Sequence, residues 1–380
     1  METTQSGPIL GKKSIGLEGI VALDTELSEV DGERGRLVFH GHEVAELARD
    51  GSLEATAALL WNGALPADGG SALRRAFADG RVSAFARLPR LDAALALPDA
   101  MDALRAATAA LEAPNGGTAG APASGASEGA RLAGAVAVFA AAWARRSRGL
   151  PPVAPDPARS HAADYLHMLS GTEPSAEAER ALASYLVTVA DHGMNASTFA
   201  ARVVASTGSD AVSAIVAGIG ALKGPLHGGA PGPVLDMLDA IGAPDRARAW
   251  LFAELDAGRR IMGMGHRIYR VRDPRAEVLE RAIEQLGASG GGGARLALAR
   301  AVEQTALALL AERHPGRALR ANVEFYTAVL LDALGIDRRL FTPTFAVGRV
   351  VGWYAHVAEQ RRSGRLIRPE SRYVGPSVQR

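Results

Sequence analysis

The chain has no cysteine among its 380 residues, which excludes disulfides, thiolate nucleophiles and cysteine-based zinc sites. Aromatic residues are few, at 5%, and charge is balanced: 42 Lys and Arg against 41 Asp and Glu leave a net charge of +1. Such a chain lacks the basic surplus and interleaved aromatics of a nucleic-acid binder. There is no long hydrophobic run either. The most apolar stretch, Leu132–Ala144, lies between Arg131 and Arg145 and falls short of the roughly 20 residues that cross a bilayer. Met1–Gly11 has no basic start leading into an apolar segment. No GxxxxGK[ST] loop is present, and no two histidines stand three or four residues apart on a helix, so neither phosphate-loop chemistry nor a histidine metal site is expected. The expectation is a cytoplasmic protein with no metal, nucleic-acid or membrane partner.

What the chain does contain is ordinary globular material, 48% hydrophobic and 22% charged, with length for two or three domains at roughly 100–200 residues each. Arg180–Ala190, Ala211–Leu222, Arg246–Leu255, Leu296–Leu310 and Phe325–Leu334 are Ala/Leu-rich and free of internal proline, which predicts helices. Leu132–Ala144 predicts a buried helix. Gly19–Val30 and Arg36–Phe39 flank the turn-prone Asp31–Gly35 and predict a short hairpin, followed by a helix from about Glu43. The fold expected is all-α with a small N-terminal β element. Ala113–Gly129 and Gly287–Gly293 read as loops, and Leu150–Pro157, with four prolines in eight residues, as a rigid connector.

Three histidines stand in glycine-rich or polar surroundings: His192 before Gly193, His227 before Gly228-Gly229, and His266 after Gly263-Met264-Gly265. Glycine beside histidine lets a ligand approach backbone and imidazole together; a solvated or structural histidine is the bland alternative. Arg259, Arg260, Arg267, Arg270, Arg272 and Arg275 share one segment with a single acid, Asp273. This is either an anion site, given arginine's bidentate donors, or a solvated basic surface. Glu324 begins an apolar helical segment, as a desolvated general base or as a charge complementing the helix N-terminus. Arg349 interrupts the apolar run Phe341–Trp353, and a buried arginine needs an anionic partner, from ligand or protein.

These elements, in this order, resemble the citrate synthase family. The resemblance runs from Gly16–Ile20, Asp31-Gly32 and Arg36-Leu37 to Arg368-Pro369 and Tyr373, and is strongest at Gly224–Ala230, Gly263–Tyr269 with Asp273–Arg275, and Phe341–Trp353 followed by Ala355-His356 and Glu359-Gln360. It implies a homodimer of two-domain subunits, with residues 227–330 as the small domain and residues 1–226 and 331–380 as the large one. It implies condensation of an acyl-CoA with oxaloacetate and no cofactor beyond the coenzyme A thioester, which is a substrate. In that scheme Glu324 takes the α-proton, His227 stabilises the enolate oxygen and His266 polarises the ketone. His192, Arg275, Arg349 and Arg368 from the neighbouring subunit hold oxaloacetate, and Arg267, Arg270, Arg272, Gly263 and Gly265 meet coenzyme A.

Two departures stand out. The family pattern commonly has aspartate where this chain has Glu324, one methylene longer, and Pro231 stands where asparagine is common. The leading expectation is citrate formation from acetyl-CoA. A 2-methylcitrate synthase using propionyl-CoA, a non-catalytic relative that binds ligand, and a helical scaffold are the alternatives.

Overall fold

A computed structural model describes residues 17, 19–112, 125–229, 231–266, 268–287, 293–315 and 319–376. Near the start, strands β1 (Ser28–Asp31), β2 (Arg36–Phe39) and β3 (His42–Glu43) form an antiparallel meander in that order, with Ser28 opposite Phe39 and Asp31 opposite Arg36. Asp31 shapes the turn by accepting from the backbone N–H groups of Glu33 and Arg34, at 3.1 and 2.9 Å. The expected strand over Gly19–Val30 is therefore much shorter. Residues 20–25 form no strand, and the chain is tied down by the Glu26 N–H donating to Glu359 Oε1 at 2.9 Å.

Helices make up the rest of the regular structure. They are α1 (Val44–Asp50), α2 (Leu53–Asn62), α3 (Ser71–Phe85), α4 (Asp92–Leu95), α5 (Ala100–Ala109), α6 (Gly125–Arg146), α7 (His161–Ser170), α8 (Ala176–Val189), α9 (Ala196–Ser206), α10 (Ala211–Leu222), α11 (Pro231–Ile241), α12 (Ala247–Asp256), α13 (Pro274–Gly287), α14 (Gly293–Arg313), α15 (Val323–Ala333) and α16 (Phe341–Ser363). All five helices expected from Ala/Leu patterning form. Residues 125–129, expected as part of a loop, instead open α6; residues 113–124 and 288–292, where loops were also expected, lie outside the described residues. No helix among the described residues is long and apolar enough to cross a membrane.

Two helices form the centre. Along α6, Leu132, Val136, Phe139 and Trp143 are buried, and along α16 so are Phe345, Val350, Trp353 and Val357. Both are apolar on nearly every face, as a helix must be when other helices surround it. The α6 helix packs on α3, α5, α7 and α16, while α16 also touches α2, α8, α9 and α10. The contact between α16 and the end of α8 is backbone-close: a Cβ on Gly352 would collide with the Ala190 carbonyl oxygen, and one on Gly348 would lie 2.9 Å from the Leu186 carbonyl oxygen.

Backbone atoms cannot retreat from such an overlap. Gly352→Ala is accordingly expected to destabilise the fold by about 1–3 kcal/mol. Gly232→Ala, where a Cβ meets nothing within 4 Å inside a helix, is expected to be neutral or to stabilise by up to about 1 kcal/mol. Equal melting temperatures for the two variants would contradict this account of the α8–α16 contact.

Candidate functional site

The site is assembled from distant stretches of chain held by backbone hydrogen bonds. Gly265 N–H donates to the Arg320 carbonyl at 2.7 Å and Asn322 N–H to the Gly263 carbonyl at 2.9 Å, with Met264 and Ala321 forming an antiparallel bridge. Asn322 then works twice. Its Nδ2 donates to the Gly265 carbonyl at 2.9 Å, and its Oδ1 caps α15 by accepting from Glu324 N–H at 3.0 Å. The segment carrying His266 is thus fixed to the helix start carrying Glu324. Gly263 is needed here: its φ is +73°, and a Cβ would come within 2.9 Å of Phe325, a position hostile to any other residue.

His266 has a defined tautomer. Its Nδ1 accepts from the backbone N–H groups of Ile268 and Tyr269 at 3.0 and 3.1 Å, so the proton of the neutral ring lies on Nε2. That Nε2 sits 3.4 Å from Arg275 Nη2. Two donors side by side present themselves jointly to an oxygen. Arg275 is buried and clamped by Asp273, its Nε donating to Oδ1 at 3.0 Å and its Nη2 to Oδ2 at 2.8 Å. Asp273 Oδ2 also accepts from Val323 N–H at 3.1 Å, which locks the pair to the first turn of α15.

On the other side, His192 is buried with its Nε2 3.2 Å from the Tyr269 hydroxyl, and its ring centroid lies 5.5 Å from that of His266. His227 Nε2 lies 2.8 Å from Ser197 Oγ, which accepts from Trp353 Nε1–H at 3.1 Å. Arg349 is buried in α16 over the Phe345 ring and donates from Nε to the Val189 carbonyl at 2.5 Å. Its Nη1 and Nη2 have no protein partner among the described residues, and neither has the shielded Oε2 of Glu324.

Burial and the two guanidinium groups set the protonation states. Burial, reinforced by Arg349 and Arg275, lowers the His227 imidazole to about 4, and burial with Arg275 does the same to His266. His192 is held well below the usual range by burial, Arg275 and its neighbouring histidines. All three are neutral at pH 7. Burial raises the Glu324 carboxyl to about 7, with Arg275 and Arg349 opposing the rise and Asp273 adding to it. Burial lowers Arg349 to about 10, so it stays charged. Neutral donors, two buried cations and a carboxyl that ionises near neutrality suit a site that holds a small dianion and moves a proton.

His192, His227, His266, Arg275, Glu324 and Arg349 are thus brought together. Arg368 is exposed on the tail after α16 and has no hydrogen bond or ion pair to the site among the described residues. Of the residues expected at coenzyme A, Gly263 and Gly265 lie in the His266 segment and Arg270 is exposed beside it; Arg267 falls outside the described residues. Arg272 is engaged internally, donating to Glu303 at 3.1 and 2.9 Å and to Glu280 at 2.8 Å. Arg259 pairs with Glu254 at 2.7 and 2.6 Å. The basic segment is therefore more neutralised than a single local acid suggests. Ser197, Tyr269, Asn322 and Asp273 are the supporting residues that sequence reasoning gave no role; a serine or asparagine beside a helix start reads there only as a cap. Among the described residues, no group of three or more His, Asp or Glu is arranged to hold a metal ion.

Comparison with known proteins agrees over the whole length. The family model described as citrate synthase, C-terminal domain, matches residues 16–370. The chain is 38% identical to a citrate synthase of Haloferax volcanii, over 96% of each chain, and 39% identical to a 2-methylcitrate synthase of Mycobacterium tuberculosis, over 95% of this chain and 90% of the relative. Among solved structures it is similar to the Thermoplasma acidophilum citrate synthase in ternary complex with carboxymethyl coenzyme A and oxaloacetate, with a TM-score of 0.87 and 28% identity over 97% of this chain and 98% of the other. With its mainly helical fold and its sequence both matching from end to end, the chain belongs to the citrate synthase family.

Proposed function

We propose that the protein is an acyltransferase that condenses acetyl-CoA with oxaloacetate and water to give citrate and coenzyme A. The observation that carries this reading is the pairing of two unsatisfied buried groups, the Arg349 Nη atoms and Glu324 Oε2, beside three neutral histidines. Arg349 and Arg275 receive the two carboxylates of oxaloacetate, with His192 and, from a neighbouring subunit, Arg368. His266 donates from Nε2 to the ketone oxygen. The Glu324 carboxylate takes a proton from the thioester methyl group, and His227 hydrogen-bonds the oxygen on which the enolate charge grows. For that role the His227 proton is on Nδ1, and the Ser197 hydroxyl turns its single hydrogen from Asn195 Oδ1, 2.7 Å away, to His227 Nε2. The enol carbon bonds to the polarised ketone carbon, and water then cleaves the thioester to release coenzyme A.

The site draws on residues 227–330 for His227, His266, Arg275 and Glu324, and on the rest of the chain for His192 and Arg349. We assign these to a small and a large domain whose closure excludes water. A homodimer accounts for the tail: Leu366, Tyr373 and Val374 are 57%, 78% and 83% exposed within one subunit, and a partner surface would cover them while receiving Arg368. The substrates are intracellular metabolites, and we assign the enzyme to the cytoplasm on that ground. The similarity to a 2-methylcitrate synthase favours propionyl-CoA as a second acyl donor. One methylene is worth only about 1–3 kcal/mol in an apolar pocket.

Four outcomes are expected. Thiol release from acetyl-CoA and propionyl-CoA should depend strictly on oxaloacetate, with the ratio of kcat/KM values naming the preferred donor; no release with either thioester would overturn the reading. Glu324→Gln should lower kcat by about 10²–10⁴-fold while calorimetry finds oxaloacetate binding preserved. Because the base acts ionised and its carboxyl is raised to about 7, kcat/KM should climb about tenfold per pH unit below 7 and level off above it. Finally, inactive Arg368→Ala and Arg275→Ala proteins, mixed under subunit exchange, should regain activity through hybrid dimers. No recovery despite proven exchange would rule out a shared site.

A further inference from the structure

A chain of buried polar groups runs behind the site. Asp191 is fully buried; its Oδ2 accepts from Gly193 N–H at 3.0 Å and from the Ser28 hydroxyl, and its Oδ1 lies 3.1 Å from His356 Nε2. His356 is also fully buried, with Nδ1 3.2 Å from Arg202 Nη1. A guanidinium only donates, so Nδ1 accepts and the ring proton lies on Nε2, directed at Asp191. Arg202 further donates from Nη1 to Glu359 Oε2 and from Nε to Gln360 Oε1 at 2.9 Å. Gln360 Nε2 donates in turn to the Arg365 carbonyl at 2.8 Å, and Ile367 N–H donates to Ser206 Oγ at 3.0 Å.

The two ends of this chain are informative. One is the backbone on either side of His192. The other is the tail three residues before Arg368. Burying Asp191, Glu359, Arg202 and His356 carries a desolvation cost that a well-packed apolar cluster would avoid, so stability alone is a weak reason for such a network. What it supplies is geometry, holding the His192 loop and the root of the tail to one hub on α9 and α16.

We propose that His356 and Arg202 are positioning residues for oxaloacetate, acting on His192 through Asp191 and on the Arg368 tail through Gln360. This rests on the assignment of His192 and Arg368 to oxaloacetate. The hydrogen bonds that join Asp191, His356 and Arg202 reach neither Glu324 nor His227 among the described residues, so their loss bears on oxaloacetate affinity and spares the acyl-CoA side.

Steady-state kinetics of the full chain test it. His356→Ala should raise KM for oxaloacetate at least tenfold, with kcat and KM for the acyl-CoA within about twofold. His356→Gln, which keeps a donor and an acceptor, should recover most of the loss. Ser28→Ala removes one bond to Asp191 at the half-buried edge of the network and should raise the same KM several-fold in a protein of unchanged melting temperature. An unchanged oxaloacetate KM in Ser28→Ala, or in folded His356→Ala, would overturn the inference. So would equal losses in kcat and both KM values. A wild-type chain without oxaloacetate-dependent turnover would instead overturn the functional reading beneath it.

Discussion

The site depends on how closely α16 lies against the end of α8. A helix ends with carbonyls that have no partner within the helix. The Val189 carbonyl would ordinarily accept from residue 193, but the Gly193 N–H is taken by Asp191 Oδ2. Arg349 supplies the missing donor from Nε, placing a cation where the helix dipole is negative. It reaches that carbonyl because Gly348 and Gly352, one helical turn apart, let α16 approach α8 almost backbone to backbone. The same approach brings His356 to Asp191 and Trp353 to Ser197. One helix contact therefore aims Arg349, orders the His192 loop and steadies the partner of His227.

The electrostatics follow from having two guanidinium groups in a poorly solvated space. They oppose protonation of every nearby imidazole, so His192, His227 and His266 can donate hydrogen bonds without carrying charge. They also counter the burial of Glu324, whose carboxyl would otherwise rise further. A general base in such a setting must be desolvated enough to be basic and sufficiently close to cations to ionise at all. A bound dianion changes that balance. By neutralising Arg275 and Arg349 it weakens the restraint they place on Glu324, making the carboxylate a stronger base.

Much of the helical architecture was legible because it repeats. Ala/Leu patterning located Ala211–Leu222 at its observed bounds, and the lack of polar residues in Leu132–Ala144 marked a helix buried on all faces. The convergence of His192, His227, His266, Arg275, Glu324 and Arg349 was legible only through motifs standing together in order, since periodicity says nothing about which loops meet. The extended strand over Gly19–Val30 was misread because β-branched residues report propensity, whereas a strand also needs an edge to pair with. The ion pairs of Arg272 were not legible because its acids, Glu280 and Glu303, lie on α13 and α14 and meet it only after the helices pack. Asp191 and His356 are 165 positions apart, beyond what local sequence reveals.

The fate of the arginines shows how packing sorts residues of one chemical type. Arg275 turns inward because Asp273, itself fixed to the start of α15, neutralises it beside His266. Arg272, three residues earlier, stacks over Tyr326, whose hydroxyl donates to Glu303 at 2.6 Å. It thereby ties α13 and α14 to α15 two residues beyond Glu324, where its charge is spent on rigidity. Arg259 is held by Glu254 at the surface. Among the described residues of this segment, Arg260 and Arg270 keep exposed guanidinium groups without an acidic partner. They are the cations there that a phosphate can approach without breaking an ion pair. A local count of charge marks a region as basic, but the acids that helix packing brings in decide which of its charges remain available to a ligand.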